Sequence, residues 1–318
     1  MSITARYVVL FLTLILSATP ARADDAAPAV EWNAAVLAVA EAEDGFMTLK
    51  GLRTVTMMHL AMHDALSATG SGYQPYALQE RLTDGSRIAA VSHAAFVVAS
   101  SQYPGSRAVF AAIRDRAEAG VTEPDQLETG RALGTRAAES IMSTRQGDGW
   151  DTEADYQWPP MAPGVYAEIE AHSGTPQGFI FGPGWAKARG FALERPDQFR
   201  VPAPPNIESS AYTAAFDEVK MLGRFQSMRR TSDQTHLALW WKDFSENSHN
   251  RLARDLIARE ALSLDASVRL FALLNMAIYD AYISSFENKF HYNHWRHYTA
   301  IRWSDNDGNP EPPKESTW

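Results

Sequence analysis

Cysteine is absent from all 318 residues. That excludes disulfide bridges, thiol nucleophiles and cysteine-based metal sites, and leaves core packing to hold the fold. Positive charge is scarce as well: 29 Lys and Arg stand against 38 Asp and Glu, a net charge of −9. Such a balance excludes the usual electrostatic partners of basic proteins, nucleic acid and anionic bilayers. After residue 23 the sequence offers no apolar run that reads as long enough to span a membrane. Few segments alternate with period two, which argues against a sheet.

What is present begins with "MSITARYVVLFLTLILSATPARADD". Arg6 supplies a positive start, Tyr7 to Leu16 an apolar stretch, and Ala21-Arg22-Ala23 a small-x-small cleavage site before Asp24. Residues 1–23 therefore read as a signal peptide, the apolar run being too short for a membrane anchor. The expected product is exported, periplasmic or secreted. Its charge is more negative still, because Arg6 and Arg22 leave with the peptide and no acid does: 27 basic against 38 acidic residues, or −11.

Apolar residues then recur at three- and four-residue spacing. They predict helices over 32–44, 51–68, 86–101, 105–118 and 125–145, and again over 209–223, 231–246, 248–261 and 264–287, the last capped by Ser263 or Asp265. Between the two groups, residues 146–208 concentrate Gly, Pro and Trp ("GDGWD", "QWPPMAPGVY", "FGPGW", "VPAPPN"). This long irregular insertion is either a packed excursion or a cover over a site. The expected class is all-α.

"RTVTMMHLAMHDAL" (53–66) aligns without gaps on "RLFALLNMAIYDAY" (269–282). Arg53 and Asp64 match Arg269 and Asp280, and Ala61 and Ala65 match Ala277 and Ala281. The match predicts two related helical bundles, each around one such helix, with the Asp bonded to a neighbouring helix end.

Three groups of side chains are candidates for chemistry. His59 and His63 share a helix face at i and i+4, which suits a shared metal, but the glutamate of the H-E-x-x-H pattern is missing. Their repeat counterparts are Asn275 and Tyr279, which favours helix-packing roles. His291, His294 and His297 are spaced by three and would spread over roughly 120° of a helix, enough for a zinc, although cations flank them. Lys289 and Arg296 lie seven apart, two turns of a helix or about 10 Å, and would converge on one oxyanion amid aromatic rings that exclude water. Two solvated cations on an open face are the alternative.

"KFHYNHWRHYTAIR" (289–302) resembles the first signature of the vanadium-dependent haloperoxidase and type 2 phosphatidic acid phosphatase superfamily, a Lys, six residues and an Arg, commonly followed by Pro. Lys289, His291, Tyr292, Asn293, Trp295, Arg296, Thr299, Ala300, Ile301 and Arg302 match its bacterial haloperoxidase-like branch. "LLNMAIYDAYISSFENK", "DQFRVPAPP" and "EVKMLG" before "SDQTHLALWW" look similar to that branch too, so the likeness runs over roughly residues 30–318. It implies that 24–318 form a helical haloperoxidase-like domain. Lys289 and Arg296 would hold vanadate, Lys289 polarising bound peroxide as halide is oxidised. In phosphatase members the same cradle holds a phosphoryl group.

Two departures stand out. His297 replaces the Pro, so nothing forces Arg296 out of helical geometry and the helix is free to continue. The family's Pro-Ser-Gly-His and later His-bearing segments are absent, and with them the imidazole that binds vanadium or carries phosphate. The domain therefore reads as incomplete at its C-terminus, the N-terminal part of such an enzyme, with little turnover expected of the chain alone. The other readings are an acid phosphatase of the same superfamily, or a non-catalytic helical protein that binds an oxyanion or a partner. The expected partners are vanadate, phosphate, halide and peroxide, with either a homodimer or the missing C-terminal half completing the site. Export is checked by N-terminal sequencing: protein recovered outside the cytoplasm should begin at Asp24.

Overall fold

The computed structural model describes residues 25–82, 84–167, 180–310 and 318. Ten α-helices form among them: α1 Ala27–Asp44, α2 Lys50–Ala68, α3 Arg87–Gln102, α4 Arg107–Glu118, α5 Pro124–Thr144, α6 Ser210–Gly223, α7 Ser232–Lys242, α8 Ser245–Arg259, α9 Leu264–Tyr292 and α10 His297–Trp303. No strand occurs among the described residues, only an isolated antiparallel bridge between Val165 and His294. The architecture is all-α, as the spacing of apolar residues dictates.

Local chemistry sets the boundaries. The α1 helix starts five residues earlier than the apolar period suggests, because Pro28 supplies a helical φ in its first turn. Ser263 caps α9, its hydroxyl accepting from the Ala266 N–H at 3.3 Å. Thr231 and Gln234 form a reciprocal capping box at the start of α7. In α5, Gly134 lets α3 approach closely: a Cβ there would sit 2.5 Å from the Ala90 carbonyl oxygen.

The two related helices, α2 and α9, pack on each other inside one continuous core. Their aspartates do equivalent work. Asp64 accepts from the backbone N–H groups of Tyr76, Ala77 and Leu78 at 2.6, 2.7 and 2.8 Å. Asp280 accepts from Phe191, Ala192 and Leu193 at 2.6, 2.7 and 2.9 Å. Both partners are loops, not helix ends as the repeat alone suggested. A carboxylate with four lone-pair sites is better matched to a turn presenting three converging amides than to one helix terminus. The Tyr76 hydroxyl donates to the Phe191 carbonyl at 2.7 Å and joins the two loops.

The likeness ends at the flanks. Arg53 is buried and bonded to Asp148 at 2.8 Å and to the Arg145 carbonyl at 2.8 Å, whereas its counterpart Arg269 is exposed and lies over the Tyr73 ring at 4.8 Å. The α2 helix is buried on every side beneath α3, α5 and α9. On α9, the positions matching Met57, Ala61 and Ala65 are Leu273, Ala277 and Ala281, all exposed. Further apolar side chains stand in solvent on and beside α7, with Phe225 95%, Met228 99% and Trp241 62% exposed.

One expectation needs correction. By length and composition α9 does qualify as a membrane-crossing segment: it runs 29 residues, five past the predicted end, and reaches a mean hydropathy of 1.2. Its apolar character is that of a central core helix, half buried and carrying Asn275, Asp280 and Glu287 in buried positions. The signal peptide reading falls on residues 1–23, outside the described residues.

Replacing either Asp64 or Asp280 by Ala orphans three buried or half-buried amides. Each variant should lose about 3 kcal/mol of stability, read from the urea midpoint, and Asp→Asn should lose less.

Candidate functional site

Lys289 sits in the last turn of α9 and Arg296 beyond its end. The helix does not continue between them. Asn293 takes the left-handed conformation, φ 46°, ψ 41°, and terminates α9, while Arg296 is extended at φ −78°, ψ 151° as the residue before α10. The two cations therefore do not project from two turns of one helix about 10 Å apart, and the absence of Pro after Arg296 does not let the helix run on. Asparagine tolerates the left-handed turn, and the following residues are tied to the 162–166 loop. The Trp295 N–H donates to the Gly164 carbonyl at 3.0 Å and the Tyr166 N–H to the Asn293 carbonyl at 2.8 Å. The Tyr156 hydroxyl donates to Asn293 Oδ1 at 2.6 Å.

The reversal nonetheless brings both cations to one place. Arg296 Cζ lies 5.0 Å from the centre of the Tyr166 ring and Lys289 Nζ 5.9 Å from it. Lys289 Nζ also lies 4.7 Å from the Phe290 ring, 4.8 Å from Phe286, and donates to the Phe181 carbonyl at 2.7 Å. Within the irregular insertion, Tyr156, Tyr166 and Phe181 thus cover the end of α9.

Among the described residues no carboxylate pairs with either cation. The nearest acid on α9, Glu287, is held by the Arg200 guanidinium through both carboxylate oxygens. Burial, and then the charge of Arg296, push Lys289 down to about 8. A half-buried ammonium whose neighbours are rings, one carbonyl and a second cation is short of negative charge.

The histidines lie elsewhere. His291 is exposed at the end of α9, His294 is half-buried at the bridge to Val165, and His297 opens α10. They occupy three separate pieces of backbone, not one helical arc, because the helix ends at Asn293. Burial and the neighbouring His297 hold His294 below its ordinary value. His59 is fully buried, stacked on Phe271 at 4.6 Å and pushed down to about 3 by desolvation. Its Nε2 meets the Asn33 amide at 3.2 Å, and Asn33 donates to Asn250, itself bonded to Asn275, the repeat counterpart of His59. His63 Nε2 lies 3.0 Å from the Gln74 carbonyl. These are packing contacts, between helices for His59 and with the loop after α2 for His63. No trio of His, Asp or Glu among the described residues is arranged to hold a metal ion.

Reading the sequence by motif missed Tyr166, the Phe181 carbonyl and the Tyr156–Asn293 clamp. The signal available was the density of aromatics in "DYQWPPMAPGVY", without the pairing that brings it to Lys289.

No protein-family model and no curated protein sequence matches the chain. Solved structures do. The fold is similar to that of a bacterial vanadium-dependent iodoperoxidase, with a TM-score of 0.70 and 18% identity over 88% of this chain and 73% of that one. It is also similar to a bacterial vanadium-dependent chloroperoxidase in its holo and apo forms, with TM-scores of 0.56 and 0.53 and 17% identity. The shared region is 80% and 81% of this chain and 64% and 65% of theirs. Lys289 and Arg296, with no carboxylate partner among the described residues, thus lie on an all-helical scaffold whose fold is similar to that of vanadium-dependent haloperoxidases.

If the clamp rather than residue 297 aims Arg296, His297→Pro should fold normally. Pro is favoured at the first position of a helix, so thermal unfolding should move up or stay unchanged. Asn293→Val, forced into a left-handed conformation, should cost about 1–3 kcal/mol by the same measurement.

Proposed function

We propose that this chain carries the cationic half of an oxyanion site of the haloperoxidase type. The carrying observation is the convergence of Lys289 and Arg296 on Tyr166 with no carboxylate paired to either among the described residues. A multiply charged oxyanion supplies the negative charge that the pair lacks, so the residues present fit vanadate. They fit phosphate equally, since a Lys point charge and an Arg fork read oxygen geometry and charge rather than the central atom. No residue of the chain matches the family's anion-binding imidazole.

Lys289 would hold one oxygen of the anion through Nζ and Arg296 another through its guanidinium. The aromatic rings around half-buried Lys289 lower the local dielectric and strengthen its contact, while Arg296 remains exposed. Bound vanadate would supply the activation of peroxide toward halide, the chemistry named for the similar iodoperoxidase and chloroperoxidase. Exposure of the α9 face supports the further reading that the chain works with more helical mass than it has here, and has little turnover alone. Export to the periplasm or beyond belongs to the same proposal.

Calorimetric titration with vanadate and with phosphate tests this. Either should bind, and Lys289→Ala should weaken binding about 10- to 100-fold, the 1.4–2.8 kcal/mol of a lost charge-assisted contact. Absence of binding by the wild type would remove the proposal. The pH dependence follows from Lys289. Its folded value is depressed to about 8, so the fold bears an uncompensated charge below pH 8 and gains stability as pH rises from about 8 toward the ordinary lysine range. Anion affinity runs the other way and should fall as pH rises through about 8, with Lys289→Ala flattening that profile.

A further inference from the structure

We propose that the cavity between α6 and α10 is a binding site for a small aromatic molecule carrying one hydroxyl group, a phenol. The cavity holds about 260 Å³ and lies against the same 294–297 segment that carries Arg296, but neither Lys289 nor Arg296 lines it. Tyr212, Phe216 and Val219 of α6 form one wall, Trp295 and Ile301 the other, and Pro204 with Pro205 borders it. Interiors pack so closely that voids larger than a water molecule are few. An apolar cavity of about 150 Å³ is known to take up benzene, so this one has room for a ring and its substituent.

The lining selects the ligand. Most of it is hydrocarbon and aromatic surface, which disfavours a cluster of waters because each needs two to four polar partners. Aromatic rings from both walls offer edge-to-face and stacked contacts. Polar groups are few: the imidazoles of His294 and His297, the Tyr212 hydroxyl and Trp295 Nε1. The Tyr212 hydroxyl and Trp295 Nε1 are buried and face each other, so the imidazoles are the polar groups open to a ligand. Burial pushes the Tyr212 phenol up to about 12, so it remains a neutral donor. A hydroxyl both donates and accepts. It suits a wall whose accessible polar groups are imidazoles, which can donate or accept, whereas a carboxylate would have to leave water for a site lined by no Lys or Arg.

The site does not depend on the anion reading. It shares only the backbone of residues 294–297 with the cation pair, through the bridge from His294 to Val165.

Calorimetric titration of the full chain with phenol is the test. Ala215 lies at the cavity and is solvent-exposed, and Ala214 is its exposed neighbour outside the lining. Saturable binding should be weakened at least about tenfold in Ala215→Trp and retained in Ala214→Trp and Lys289→Ala. Three results would overturn the proposal: no saturable binding, binding indifferent to Ala215→Trp, or binding lost in Lys289→Ala, which would place the ring at the cations instead. Since Lys289→Ala separates phenol from phosphate titration, failure here leaves the anion proposal standing and the reverse also holds.

Discussion

A lysine and an arginine are held against one tyrosine ring, with no acid beside them among the described residues. Lys289 is half-buried and Arg296 exposed, and the depressed value of Lys289 records first its burial and then the charge of Arg296. Holding them there requires a rigid frame, and much of the surrounding structure provides it. The left-handed Asn293 ends α9, the bridge at Val165 keeps the next residues extended, and Tyr156 grips the Asn293 side chain. The Phe181 carbonyl offers Lys289 a neutral acceptor in place of a counter-ion.

The frame rests on the repeat. Asp64 and Asp280 each collect three amides and so fix two loops against α2 and α9. The loop taken by Asp280 is the stem of the irregular insertion whose aromatics cover Lys289. The buried amides Asn33, Asn250 and Asn275, with His59, lock the same helices in register. A polar chain of this kind is satisfied in one arrangement only, which favours specificity over raw stability. The asymmetry is equally informative: α2 is enclosed, and the matching face of α9 is open to solvent. The same apolar spacing therefore encloses one helix fully and leaves a face of the other exposed within a single core.

The cavity beside the cation pair adds a second kind of surface to the same short segment. One side of residues 294–297 is charged and faces aromatic rings of the insertion. The other is apolar and faces α6. A backbone held by a bridge and one hydrogen bond thus separates two environments that would favour different ligands.

Much was legible without coordinates. The 3.6-residue period identified nine of the ten helices among the described residues, with ends displaced by up to five residues, and missed only the short α10, because an amphipathic helix must show its buried face in its spacing. The gapless match of Arg53–Asp64 with Arg269–Asp280 exposed the repeat, and "KFHYNHWRHYTAIR" marked Lys289 and Arg296. The route by which these two meet was not legible. Spacing of seven implied one continuous helix, yet the meeting depends on a left-handed asparagine and on a loop more than a hundred residues earlier in the chain. Nor could the sequence say that the aspartates would take loops rather than helix ends, or that Glu287 would be occupied by Arg200. Local periodicity is a property of neighbours along the chain and is written in their order. Which carboxylate reaches which cation, and which ring stands between two charges, are decided by contacts between distant segments, and only the packed tertiary structure sets those distances.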